Sequence, residues 1–82
     1  MIIEPHFEDI IEHFNAEYPR EGCGVVGIQK GKSVWFPCKN VAEDLDDFII
    51  DSQDYIRASH KADIVAVVHS HPDASAKPSE FD

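Results

Sequence analysis

Long hydrophobic runs are missing from this chain: its longest strongly apolar stretch is residues 64–68, far short of the roughly 20 residues a membrane-spanning helix needs. The N-terminus also lacks the basic flank of a secretory signal. A cytoplasmic protein with no membrane partner is predicted. Positive charge is scarce, with 7 Lys and Arg against 16 Asp and Glu and a formal net charge of −9. Nucleic acid is therefore excluded as a partner, because phosphate binding needs a basic surface that releases counterions. Cysteine is reduced to Cys23 and Cys38, whose spacing fits neither a disulfide framework nor a CxxC pair. Two buried, reduced thiols are expected. A structural zinc module using Cys23, Cys38, His69 and His71 is disfavoured on the same ground, since the cysteines lack ligand spacing.

What remains is ordinary globular composition, 43% apolar and 28% charged in 82 residues, enough for one packed core and too little for two. Residues 1–82 are read as a single domain. Phe7, Ile10, Ile11, Phe14 and Tyr18 recur at helical spacing. With Pro5 placed for a first turn, they predict an amphipathic helix from about residue 5 to residue 16, ending before Pro19. Residues 23–28 and 33–37 read as strands of a hairpin turning at Lys30-Gly31. A polar loop over 41–47, carrying Glu43, Asp44, Asp46 and Asp47, reads as a solvated acidic segment. A short strand at 48–50 and a helix over 52–60, capped by Asp51 or Ser52, follow. Residues 64–68 are β-branched without alternation, which predicts a strand buried on both faces in mid-sheet and ending at His69. Pro78 is expected to open a helix. His6, His13 and His60 have no motif around them and are expected to be solvated.

His69 and His71 flank one serine, so on an extended segment both imidazoles point to the same side and can meet one metal ion. Ser70 reads as the spacer that sets this register. If Pro78 opens a helix, Ser79 and Asp82 share one helical face. Two imidazoles and a carboxylate are the three protein ligands of a catalytic zinc, which keeps one position open. A proton acceptor is also required, and Glu21, just before Gly22-Cys23-Gly24, is the best candidate.

Glu21, then His69-Ser70-His71-Pro72, then Ser79 and Asp82 resemble the motif of the JAB1/MPN/Mov34 (JAMM) metallopeptidases. Pro19, Glu21, Cys23 and Gly24 are similar to the PxExCG string of the prokaryotic and phage branch, and Asn40 and the Phe48-Ile49-Ile50 segment fit as well. Five residue types at set spacing make chance agreement very improbable. The chain is most similar to the N-terminal peptidase domain of lambda-type phage tail assembly proteins, which an NlpC/P60 cell-wall hydrolase domain follows. The resemblance implies an α/β (α+β) fold with a mixed sheet flanked by helices, of the cytidine-deaminase-like JAB1/MPN type. It implies Zn²⁺ held by His69, His71 and Asp82, with Glu21 as base and Ser79 as hydrogen-bond partner of the water or the oxyanion. The activity implied is zinc-dependent hydrolysis of a peptide or isopeptide bond at the glycine-rich tail of a ubiquitin-like protein, in the host cytoplasm, among other tail-assembly proteins. The alternative is a non-catalytic MPN scaffold.

The family domain normally continues beyond the aspartate through a helix and further strands, so a C-terminally truncated domain is expected here. Weak zinc affinity is expected with it, as is a homodimer through an exposed sheet edge.

Overall fold

The computed structural model describes residues 2–71 and 80–81. A 3₁₀ turn, Glu4–His6, leads into α1, Phe7–Glu17. Strands β1, Cys23–Gln29, and β2, Lys32–Cys38, form the expected hairpin. Its turn places Lys30 at φ 52° and Gly31 at φ 81°, the paired left-handed conformation whose twist matches that of the flanking strands. Helix α2, Ser52–Lys61, then precedes β3, Asp63–His69. The Asp51 carboxylate caps α2, accepting from the Asp54 amide at 3.1 Å, so one of the helix's free N–H groups is satisfied.

The sheet runs β2-β1-β3-β4, where β4 is Glu80–Phe81. The α+β class is as expected, but among the described residues every ladder is antiparallel rather than mixed. A tight turn joins β1 to β2, and the chain re-enters beside β1 in the opposite sense after α2. The helix expected from Pro78 is likewise corrected for Glu80 and Phe81, which pair with His69 and Val68. The outer edge of β3 offers these two residues ladder hydrogen bonds. At residues 48–50, a single bridge between Asn40 and Ile50 stands where a strand was expected.

A helix covers each face of the sheet. On one, Ile3, Ile10 and Phe14 pack against Val26, Ala66 and Val68, with Trp35 at the margin. On the other, Cys23, Val25, Cys38 and Ala58 form the core, extended by Phe36, Phe48, Ile50, Ile64 and Val67. The strand with a run buried on both faces is β1, over residues 23–27, rather than β3, where Val65 is half exposed. The cause is a register shift: Val26 pairs with Ala66 and Gly27 with Ile64, so Val65 is the extra residue of a bulge. The α1 stripe is also only partly used. Ile10 and Phe14 are buried, while Phe7, Ile11 and Tyr18 lie at the solvent side.

Candidate metal centre

Antiparallel pairing of β1 with both neighbours brings the start of β1 together with the ends of β2 and β3. Cys23 faces Cys38 on one side and His69 on the other. Glu21, Asn40 and the His69-Ser70-His71 segment therefore converge at one end of the sheet although they are distant in sequence. Glu21 and His69 are buried and His71 is half-buried. One donor atom from each of the three lies within 4.8 Å of the other two. Glu21 Oε1 stands 3.5 Å from His69 Nδ1, and the rings of His69 and His71 meet edge to face at 4.7 Å between centroids.

Burying polar atoms without partners costs on the order of 1–3 kcal/mol each. Glu21 Oε1 and His71 Nε2 are nevertheless buried with no hydrogen-bond partner among the described residues. Two imidazole nitrogens and a carboxylate oxygen are donors that suit zinc. A cation between them would satisfy the two orphaned atoms, so the residues present fit a zinc ion. Ser79 and Asp82 lie outside the described residues. Glu80 and Phe81, between them, are extended.

The surroundings hold the segments in place. Ser70 is buried and ties the two strand ends twice: its Oγ accepts from the Gly22 amide at 2.9 Å, and its amide donates to the Gly22 carbonyl at 3.1 Å. Ser70 is thus a staple between the segments that carry Glu21 and the two histidines, beyond the spacer role the sequence assigned it. Gly22 has no room for a side chain because a Cβ there would collide with the Phe14 ring. Gly22 therefore admits α1 itself, and Gly24 admits the Trp35 ring of β2. Asn40, also buried, donates through Nδ2 to the Glu21 carbonyl at 2.9 Å. Arg20 Nη2 donates to the carbonyls of Asn40 and Ala42. Phe48 stacks on His69 at 4.4 Å and 18° between planes.

Two further histidines depart from their expected solvation. His13 Nε2 lies 3.1 Å from the Cys23 carbonyl and 3.2 Å from that of Cys38. With two acceptors in front of it, that nitrogen must carry the proton. His6 Nε2 bonds to Ser33 Oγ at 2.9 Å. His60 is exposed, as expected. The thiols are free and buried. Burial, reinforced by the neighbouring Cys38, pushes the Cys23 thiol up to about 12, and burial pushes Cys38 to about 11. Neither is poised as a nucleophile. A surface groove between α1 and β2, lined by residues such as Asp9, His13 and Trp35, contains none of the three converging residues.

Residues 4–82 match the family of prokaryotic homologs of the JAB domain. The chain belongs to this family. Over 74 residues, 89% of its length, this JAB-family chain is 47% identical to the tail tip assembly protein K of Escherichia phage N15. It spans 30% of the length of that curated relative. No solved structure matches the chain.

Proposed function

We propose that this JAB-family chain is the peptidase part of a phage tail tip assembly protein, and that it hydrolyses a peptide or isopeptide bond with the help of Zn²⁺. The observation that carries this reading is the convergence of Glu21, His69 and His71, with Glu21 Oε1 and His71 Nε2 buried and without a hydrogen-bond partner among the described residues. Orphaned polar atoms of this kind are rare in native structures and call for an explanation. Support for the tail-assembly role comes from the identity to the N15 relative.

In this reading His69 and His71 hold the ion, and Asp82 completes the ligand set by motif. Zinc, when bound, polarises a carbonyl and lowers the pKa of water toward neutrality. Glu21 takes the proton from the attacking water and passes it to the leaving amine. Its backbone is fixed by Asn40 and by the Ser70 staple on Gly22, so the carboxylate needs little reorganisation when the reaction starts. Ser79 hydrogen-bonds the oxyanion. The substrate is an extended, glycine-rich tail of a ubiquitin-like protein, which can align beside the strands at this end of the sheet.

The test is cleavage of a ubiquitin-like fusion by the zinc-loaded chain. Glu21→Gln is expected to lower the rate at least about a hundredfold, the usual size of a general-base contribution, with the zinc content retained. Chelation is expected to abolish cleavage and His71→Ala to abolish zinc binding. Equal cleavage by Glu21→Gln would remove the proposed base. A folded, zinc-loaded chain that cleaves nothing would favour the MPN scaffold instead.

A further inference from the structure

The segment joining β2 to α2 folds over the metal-site end of the sheet, and a single side chain gathers it. Asn40, 4% exposed, uses its whole hydrogen-bonding capacity. Nδ2 donates to the Glu21 carbonyl at 2.9 Å and to the Asp47 carbonyl at 3.1 Å. Oδ1 accepts from the Ala42 amide at 2.9 Å and the Ile49 amide at 3.0 Å. Backbone bonds at 2.9 Å from Val41 to Ile49 and from Asp51 to Lys39 close the neck of the loop. Asp47 and Ile49 are the neighbours of Phe48, and the Phe48 ring lies flat on His69. Through one amide, Asn40 therefore grips the backbone of Glu21 and both residues that flank the ring packed on His69.

We propose that Asn40 and Phe48 form a positioning clasp, in which Phe48, held by Asn40, fixes the His69 imidazole relative to the Glu21 carboxylate and thereby sets the zinc affinity of the site. The inference rests on reading Glu21, His69 and His71 as a metal centre. An imidazole at the end of a strand can rotate about χ2, and each orientation it samples away from the ion weakens binding. A flat ring at stacking distance restricts that rotation and keeps water from one face of the imidazole. The loop carrying Phe48 would otherwise be free to swing, because Glu43, Asp44, Leu45 and Asp46 are all exposed. Asn40 is the side chain that converts this polar loop into a fixed support.

Phe48 also belongs to the core facing α2, so the test must separate positioning from packing. Phe48→Leu keeps an apolar group there and removes the flat ring; Phe48→Tyr keeps the ring. Zinc affinity is measured by competition with a chromophoric chelator, thermal stability by circular dichroism, and the His69 ring protons by NMR in the metal-free protein. Phe48→Leu is expected to weaken zinc binding about tenfold, the usual size of an outer-sphere effect, and to move the His69 signals downfield as the ring current is lost. Phe48→Tyr is expected to restore both. Zinc binding by Phe48→Leu as tight as in the parent would overturn the clasp. So would a loss that Phe48→Tyr shares. If the parent itself bound no zinc, the metal-centre reading would fail. The clasp would then stand or fall on the His69 signals, and unchanged signals in Phe48→Leu would overturn it.

Discussion

At one end of the sheet, β1 begins and β2 and β3 finish among buried Glu21, Asn40, His69 and Ser70. At the other, β1 turns into β2 through Lys30 and Gly31, both exposed, and β3 begins at exposed Asp63. Both ends belong to the same strands, yet the first is held by side chains bonding backbone from distant segments and the second by the turn and the strand ladder, in which Ile28 pairs with Asp63. Buried polar groups are costly unless every partner is in place. Their concentration at one end marks where the protein gives up simple apolar packing for a defined arrangement of donors. The hairpin end carries no such constraint, and its residues are those a turn requires.

The contrast can be broken by substitution. Asn40→Ala strips partners from two carbonyls and two amides at once, and a loss of about 3 kcal/mol is expected in urea unfolding. A loss below that of any hairpin-end variant would undo the distinction. Ser70→Ala leaves the Gly22 amide unbonded, for which about 1–2 kcal/mol is expected, together with weaker zinc binding because the two strand ends come apart. At the opposite end, Gly31→Ala forces a side chain to φ 81° and should cost about 1 kcal/mol, with zinc affinity untouched. A zinc effect from Gly31→Ala would mean that the two ends are coupled.

The last effect is absent near neutral pH. Both thiols are raised in the folded state above the ordinary value of 9.0, to about 12 and about 11. Above pH 9 the unfolded chain releases protons that the folded chain retains, so stability falls as pH rises from there through the folded values. Below pH 9 the contribution is complete and flat. Cys23→Ala with Cys38→Ala should lessen the alkaline decline, read as the urea midpoint against pH.

Local features of the fold were legible in the sequence, and features made by distant partners were not. The hairpin followed from Lys30-Gly31 between apolar runs, α1 from its spacing, and the α2 cap from Asp51. The convergence of His69 and His71 followed from strand alternation, and Glu21 from the need for a carboxylate beside them. The bulge at Val65 was hidden because an uninterrupted β-branched run has no alternation to reveal a slip. His13 looked like a surface residue because its acceptors are carbonyls of strands far along the chain. The backbone bonds of Ser70 and Asn40 escaped for a similar reason, although both residues were noticed: a polar side chain that binds distant backbone has no periodicity of its own. The two-residue β4 was read as helix because Pro78 signals a helix start, whereas the edge of β3, which won, is a tertiary fact.

The pairing of Cys23 with His69 has a consequence for biosynthesis. The rung that joins the two halves of the site spans more than half of the chain, and closing so long a loop carries an entropic cost before any contact offsets it. During translation, Glu21 must leave the ribosome and wait while β2, the Asn40 loop and α2 are made. The three donors can converge only once His71 has followed. A nascent chain that has released only the β1–β2 hairpin therefore cannot assemble this cluster, whose last donor, His71, follows Glu21 by 50 residues.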